Sequence, residues 1–267
     1  MNYPQSVWQN LEQVRAKQPL VHNITNFVVM NVTANALLAL GASPIMAHAP
    51  EEVEDLLEIA SALVLNIGTL DAPWINSMQK AASLAGKRGI PIVLDPVGAG
   101  ASRFRTKTAL ELIQIQCPTV IRGNASEILA VAGAAEQTKG VDSLVRPEAA
   151  EEAARRLAKS LGCVVAASGP VDFITDGSAA LWVSGGTPLA PHVTGMGCTS
   201  TAMIGAFSSV EASPLLAAIS GMAVMKVAAE LAAEKALGPG TFQIHFGDAL
   251  YNLSAQELAS RLMITRA

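Results

Sequence analysis

Charge is scarce in this chain, and what there is forms no basic block. Only 15% of the 267 residues are charged, and the net charge is −4. A nucleic-acid partner requires clustered Lys and Arg against its phosphates, so that class is excluded. Cysteine is sparse too. Cys117, Cys163 and Cys198 are widely spaced and odd in number, which argues against a disulfide framework and a structural zinc site. The histidines (His22, His48, His192 and His245) lack metal-ligand spacing and read as structural or solvated. No apolar run reads as long enough to span a bilayer, and Met1-Asn2-Tyr3-Pro4-Gln5 is unlike a signal peptide. These absences predict a reduced, soluble, cytoplasmic protein.

Apolar residues are plentiful, at 51% of the chain. That suits a large covered core and leaves room for a buried subunit interface. Short apolar strands at 19–22, 43–47, 62–66, 90–95, 119–121 and 163–167 alternate with helical patterns at 6–17, 27–40, 73–85, 103–116, 125–132 and 147–161. A further helix opens at Pro50-Glu51-Glu52, proline and acids in a first turn. Continuous β-branched runs between helices predict a parallel sheet covered on both faces. Asp176-Gly177 between two apolar runs predicts an antiparallel hairpin at the sheet's edge. Beyond residue 197 the chain reads as nearly all helical, with helices at 214–237, from about Thr241, and near 255–262. No linker or repeat divides it, so one domain over 1–267 is predicted. Residues 133–146 read as a mobile surface loop.

The stretch Pro191-His192-Val193-Thr194-Gly195-Met196-Gly197-Cys198-Thr199-Ser200-Thr201-Ala202 leads into an apolar run and predicts a helix start near Gly197. Helix starts offer unpaired N–H groups and the positive end of the dipole to an oxyanion, and glycines let it approach. Cys198 would lie in the first turn, where the dipole favours its thiolate. Taken alone, Gly-x-Gly is equally a tight turn and Cys198 a small buried hydrophobe.

In open α/β sheets ligands bind at the carboxyl ends of the strands. Four more polar elements fall there: Asn23-Ile24-Thr25-Asn26, Asp95 to Ala101, Arg122 to Glu127, and Ala167-Ser168-Gly169-Pro170. Asp95 suits Mg²⁺ directly or through water, or else caps a turn. Asn124 and Glu127 have the spacing of a capping box, yet Glu127 would also be a second carboxylate beside Asp95. Arg122 could reach a nucleotide phosphate or be an ordinary surface charge. Lys226, inside a very apolar helix, is read as snorkelling to solvent.

Taken in order, Asp95-Pro96-Val97-Gly98-Ala99-Gly100, Asn124-x-x-Glu127, Asp176-Gly177 and Val193-Thr194-Gly195-x-Gly197-Cys198 resemble the hydroxyethylthiazole kinases of the ribokinase-like superfamily. His22-Asn23-Ile24-Thr25-Asn26 and Asn31 match as well, so the resemblance spans essentially the whole chain. It implies a three-layer α/β/α sandwich with a mostly parallel central sheet and an antiparallel hairpin edge. It also implies ATP- and Mg²⁺-dependent phosphorylation of 4-methyl-5-(2-hydroxyethyl)thiazole in thiamine biosynthesis or salvage. By the same resemblance Gly195 and Met46 border the thiazole, with Asn23 and Thr25 nearby. Arg122 and Ser168 border ATP, Asp95 and Glu127 help hold Mg²⁺, and the assembly is a homotrimer with sites between subunits. Cys198 stands where most ribokinase-like sugar kinases place the aspartate that takes the alcohol proton. It would act as a weak base or position the alcohol, with the Gly195–Cys198 amides carrying more of the energy.

Other readings are a ribokinase-like kinase for another heterocyclic alcohol, an ATP-dependent repair dehydratase, and a non-catalytic nucleotide or thiazole sensor. A Rossmann oxidoreductase is set aside, because Asn-Ile-Thr-Asn stands where its glycine fingerprint belongs.

Overall fold

Among the residues that the computed structural model describes, 2–135 and 147–267, nine strands form one sheet. Their spatial order is β2 (Ser43–Ile45), β1 (Leu20–Ile24), β3 (Ala62–Asn66), β4 (Ile92–Asp95), β5 (Val120–Asn124), β6 (Val164–Ser168), β7 (Asp172–Thr175), β8 (Ala180–Ser184) and β9 (Met263–Arg266). Pairings from β2 to β6 are parallel. Those from β6 to β9 are antiparallel, with the Asp176-Gly177 turn joining β7 to β8 as its residues foretell.

Alternate side chains of each strand feed two cores, because successive Cβ atoms point to opposite faces. Val21, Val64, Val93 and Val120 face α1 (Tyr3–Lys17), α2 (Met30–Leu40), α8 (Met196–Ser208), α9 (Pro214–Lys235), α10 (Pro239–Asn252) and α11 (Ala255–Arg261). Leu63, Leu65, Leu94 and Ile121 face α3 (Val53–Ile59), α4 (Ala72–Arg88), α5 (Arg103–Ile115), α6 (Ala125–Ala135) and α7 (Pro147–Leu161). This is the α/β/α layering expected of the sequence. Phe207 of α8 is fully buried; a side chain of that size contributes about 2–3 kcal/mol.

Local chemistry sets the helix ends. Asp71 accepts the Trp74 N–H at 2.8 Å to open α4, with Pro73 in the first turn. Gly41, at φ +106°, closes α2 in the left-handed conformation.

Several boundaries differ from the sequence reading. Asn23 and Ile24 continue β1, pairing with Val64 and Leu65, and Arg122 to Asn124 belong to β5. Residues 27–29 form a turn before α2, and 50–52 a turn before α3. Gly133 lies in α6, while 136–146 of the expected loop fall outside the described residues. The end of the chain is not purely helical: β9 follows α11. The expectation that no apolar run is long enough to span a bilayer does not hold for one helix. The 22 residues of α9, with mean hydropathy 1.7 in its most apolar window, would be long enough to cross a membrane. That window is 78% buried, so its apolar surface is spent inside the protein between α8, α10 and the sheet.

Candidate active site

The rim at the carboxyl ends of the parallel strands gathers polar residues in register. Asn66 lies beside Asp95, and Asn124 beside Ser168. Into this rim runs α8. Its N-cap is Gly195 at φ +87°, a conformation that L side chains rarely adopt. A Cβ there would also strike Val32 and Val29 at 2.9 and 3.1 Å, so only glycine lets α8 begin this close to α2. The first bond of the helical ladder runs from the Thr199 N–H to the Gly195 carbonyl at 2.8 Å. The amides of Met196, Gly197 and Cys198 therefore lie ahead of the ladder, at the positive end of the dipole.

Asp95 is the centre of the polar group, with 1% of its surface exposed. Its Oδ2 accepts the Thr201 hydroxyl at 2.6 Å and the Asn66 amide at 3.1 Å, and Arg122 Nη1 lies 3.8 Å away. Its Oδ1 is buried without a partner. Burial pushes this carboxyl up to about 6, with Arg122 and Thr201 pulling the other way. It is not a cap, so the bland reading of Asp95 does not hold.

Cys198 joins Asp95 through two amides. Asn26 Nδ2 donates to Asn66 Oδ1 at 2.8 Å and lies 3.5 Å from Cys198 Sγ. The expected dipole-favoured thiolate is not what this setting produces. Burial first, and the nearby Asp95 charge second, push the thiol up from its ordinary value. Cys198 is a neutral thiol near pH 7.

Arg122 is buried rather than a surface charge. Its Nη2 donates to Ser168 Oγ at 2.7 Å, and Ser168 donates in turn to the Gly123 carbonyl at 3.2 Å. The guanidinium lies flat against Gly197, where an added Cβ would come within 2.7 Å of Nη1. Gly197 is thus what permits arginine and helix start to share one place.

Glu127 does form the capping box. Its Oε2 accepts the Asn124 N–H at 2.8 Å, and Asn124 Oδ1 accepts the Glu127 N–H at 2.9 Å. Its Oε1 accepts the Gly98 N–H at 2.8 Å, tying the glycine-rich loop after β4 to α6. An ionised carboxylate still has free lone pairs after accepting two such bonds. Among the described residues no cluster of three His, Cys, Asp or Glu side chains could hold a metal alone. The unpartnered Oδ1 of Asp95 nonetheless fits Mg²⁺, which typically takes one or two carboxylates, waters and substrate phosphates.

Asn23 and Thr25 are buried at the same rim, and Asn23 Oδ1 has no partner. Met46 precedes Ala47, whose carbonyl lies 2.9 Å from His22 Nε2 on β1. This methionine follows edge strand β2, beyond β1, and is half-buried against the α1–α2 side of the core.

Between β6 and the helices opens a cleft of about 720 Å³, lined by Arg122, Ser168, Gly169, Gly195, Gly197 and Lys226 among others. Lys226 does not snorkel. It is buried, with Nζ 3.4 Å from Asp172 Oδ2. Asn66, Thr201 and the Asp172–Lys226 pair were not singled out from sequence. For Asn66 a signal existed: a polar residue closing an apolar strand at the ligand-binding rim.

Residues 11–256 match the profile of the Hydroxyethylthiazole kinase family. Hydroxyethylthiazole kinase of Nitratidesulfovibrio vulgaris (strain DSM 19637 / Miyazaki F) is 56% identical over 266 residues, spanning 100% of both chains. That of Syntrophus aciditrophicus is 53% identical, over 98% of this chain and 97% of its own. Among solved structures, the hydroxyethylthiazole kinase protein from Pyrococcus horikoshii OT3 superposes with a TM-score of 0.92 at 43% identity, covering 98% of this chain and 99% of that one. A pyridoxal kinase from Staphylococcus aureus in complex with AMP-PCP superposes at 0.67 with 15% identity, over 93% of this chain and 99% of its own, a likeness of fold alone. The fold is the ribokinase-like sandwich that the motifs imply.

Proposed function

The chain belongs to the hydroxyethylthiazole kinase family, and from that membership we infer that it transfers the γ-phosphoryl group of ATP to the primary alcohol of 4-methyl-5-(2-hydroxyethyl)thiazole, in thiamine biosynthesis or salvage. The observation that carries the reading at the level of residues is the meeting of the α8 start, Arg122 and a buried Asp95 at one rim of the sheet. Incubation with ATP, Mg²⁺ and the thiazole alcohol should yield the alcohol monophosphate by mass spectrometry. A product lacking an added phosphoryl group would point to the dehydratase alternative instead.

Phosphoryl transfer needs alignment and charge stabilisation more than covalent chemistry. The amides of Met196, Gly197 and Cys198 cradle the γ-phosphoryl oxygens as negative charge gathers on them. Arg122, held by Ser168 and Gly197, supplies a fixed positive charge beside the phosphate chain. Asp95, with its unpartnered Oδ1, and Glu127 would help hold Mg²⁺, which when bound would supply charge neutralisation for the phosphates. Asn23 and Thr25 face the acceptor, and Gly195 and Met46 border its ring. We propose a homotrimer with sites between subunits. Exposed Phe27 and Val28 in the turn before α2 and Leu38 on α2, with Ile244 and Tyr251 on α10, offer apolar surface for a homotrimer.

Cys198, a neutral thiol, positions the attacking oxygen rather than deprotonating it early. Cys198→Ala should lower kcat about tenfold and leave clear residual turnover. Complete loss of activity with ATP binding intact would assign the thiol a larger share than the amides. Glu127→Gln separates the two duties of that side chain. Glutamine keeps one oxygen for the Asn124 N–H but sets its NH2 against the Gly98 N–H, so the melting temperature should fall by a few degrees without loss of the fold. The Mg²⁺ concentration for half-maximal rate should rise about threefold or more, because one charge near the ion is gone. An unchanged Mg²⁺ dependence would leave Glu127 with the cap alone.

A further inference from the structure

Lys226 is a cation in the middle of α9 that the transfer reaction does not use. It is 10% exposed and its partner Asp172 is 3% exposed. Besides that carboxylate, its Nζ donates to the carbonyls of Gly169 at 3.3 Å, Pro170 at 3.1 Å and Gly185 at 3.2 Å. Those acceptors lie on two separate segments, the turn between β6 and β7 and the end of β8. Asp172 reinforces the first by accepting the Gly169 N–H at 3.0 Å. One helical turn further along α9, Glu230 accepts the Gly186 N–H at 2.9 Å and so holds the second. Gly185 and Gly186 both have positive φ, +117° and +93°, so this strand exit runs through a conformation that needs holding. Both backbone segments, with Lys226 itself, line the cleft that ends at Arg122 and Gly197.

A buried ion pair seldom adds stability over apolar groups of the same shape; where it is kept, fixing one arrangement is its best-attested use. The ammonium is saturated with protein acceptors and has no proton left for a phosphate. We propose that Lys226, with Asp172 and Glu230, is a positioning residue for the nucleotide, stapling the 169–170 turn and the 185–186 strand exit into the wall against which ATP lies. This rests on reading the cleft as the ATP site.

Three variants test it, with circular dichroism and melting curves beside steady-state kinetics. Lys226→Met combined with Asp172→Asn removes both charges and keeps the shape. It should melt near the parent temperature yet raise the KM for ATP about tenfold, with kcat at saturating ATP within twofold and the KM for the alcohol unchanged. Glu230→Ala buries no orphan charge and should raise the KM for ATP about threefold in the same pattern. It decides the matter should the double variant not fold. An unchanged KM for ATP in the folded variants overturns the proposal, as does a parallel fall in kcat with a rise in the alcohol KM. Ala190→Trp, which fills the cleft, should abolish ADP binding in calorimetry. If ADP still binds to that variant, the cleft is not the nucleotide site and the staple falls with that reading. Lost ADP binding beside unmoved kinetics in the staple variants would sink the staple alone.

Discussion

Replacing Asp95 by asparagine should cost about 10³-fold in kcat/KM while leaving the fold at least as stable as the parent. The loss follows from what meets at this one carboxylate. Thr201, Asn66 and Arg122 all address Oδ2, and Oδ1, buried without a partner, is the position proposed for Mg²⁺. Asparagine can still accept from Thr201 and Asn66, so the local hydrogen bonds survive. What vanishes is the charge proposed to hold the metal, which is also the charge beside Arg122.

The stability arm has a definite sign. The carboxyl is raised from 3.8 to about 6 by burial, so ionising it is harder in the folded chain than in the unfolded one. Above about pH 6 the full cost of that charge works against folding; below about pH 4 it is absent in both states. Melted with a chelator and without nucleotide, the asparagine variant should equal or exceed the parent at pH 8. That advantage should fade as the buffer is brought toward pH 4. A variant that melts far below the parent at pH 8 would mean the carboxylate is structural, and its inactivity would say nothing of chemistry.

The second large effect is expected at Gly197, and two substitutions there separate two causes. Gly197→Pro removes an amide from the cradle and drives atoms into the guanidinium, and should lower kcat about 10²-fold or more. Gly197→Ala keeps the amide but places a methyl within 2.7 Å of Arg122 Nη1. Arg122 must then leave Ser168 or Asp95, and its contribution near the phosphates weakens. If the amides carry most of the stabilisation, alanine should cost about tenfold, well short of proline. Equal losses would place the weight on Arg122 instead. Single-turnover rates at saturating ATP give the comparison free of binding effects.

Much of this architecture was legible because the inner strands are buried on both faces and read as unbroken apolar runs. Ala62 to Asn66 is the clearest case, buried along its whole length. The outermost strand was not legible. Met263–Arg266 is short and mostly exposed, and it is a strand only because it pairs with Val183 and its neighbours, some eighty positions away in the chain. Asn23 read as a loop residue because polarity ended the apolar run, yet the ladder with Val64 carries it on. At the site, Asp95 and Arg122 stood out as charges closing apolar strands. Thr201 did not, since a hydroxyl inside a helix carries no mark of the carboxylate it will meet. The partnership of Lys226 with Asp172 depends on how α9 lies across β7, which no spacing reveals. Cys198 shows a subtler gap: the helix dipole can be read from the glycines, but burial and the neighbouring charge reverse its expected effect on the thiol.

The helix that begins at Gly195 is buried without a break over residues 199–207, walled by the sheet on one side and by α9 on the other. Such a helix cannot shift its first turn without disturbing the interior of the whole protein. The proposed oxyanion cradle is therefore held as one inflexible piece, fixed by the interior rather than by the loops around it.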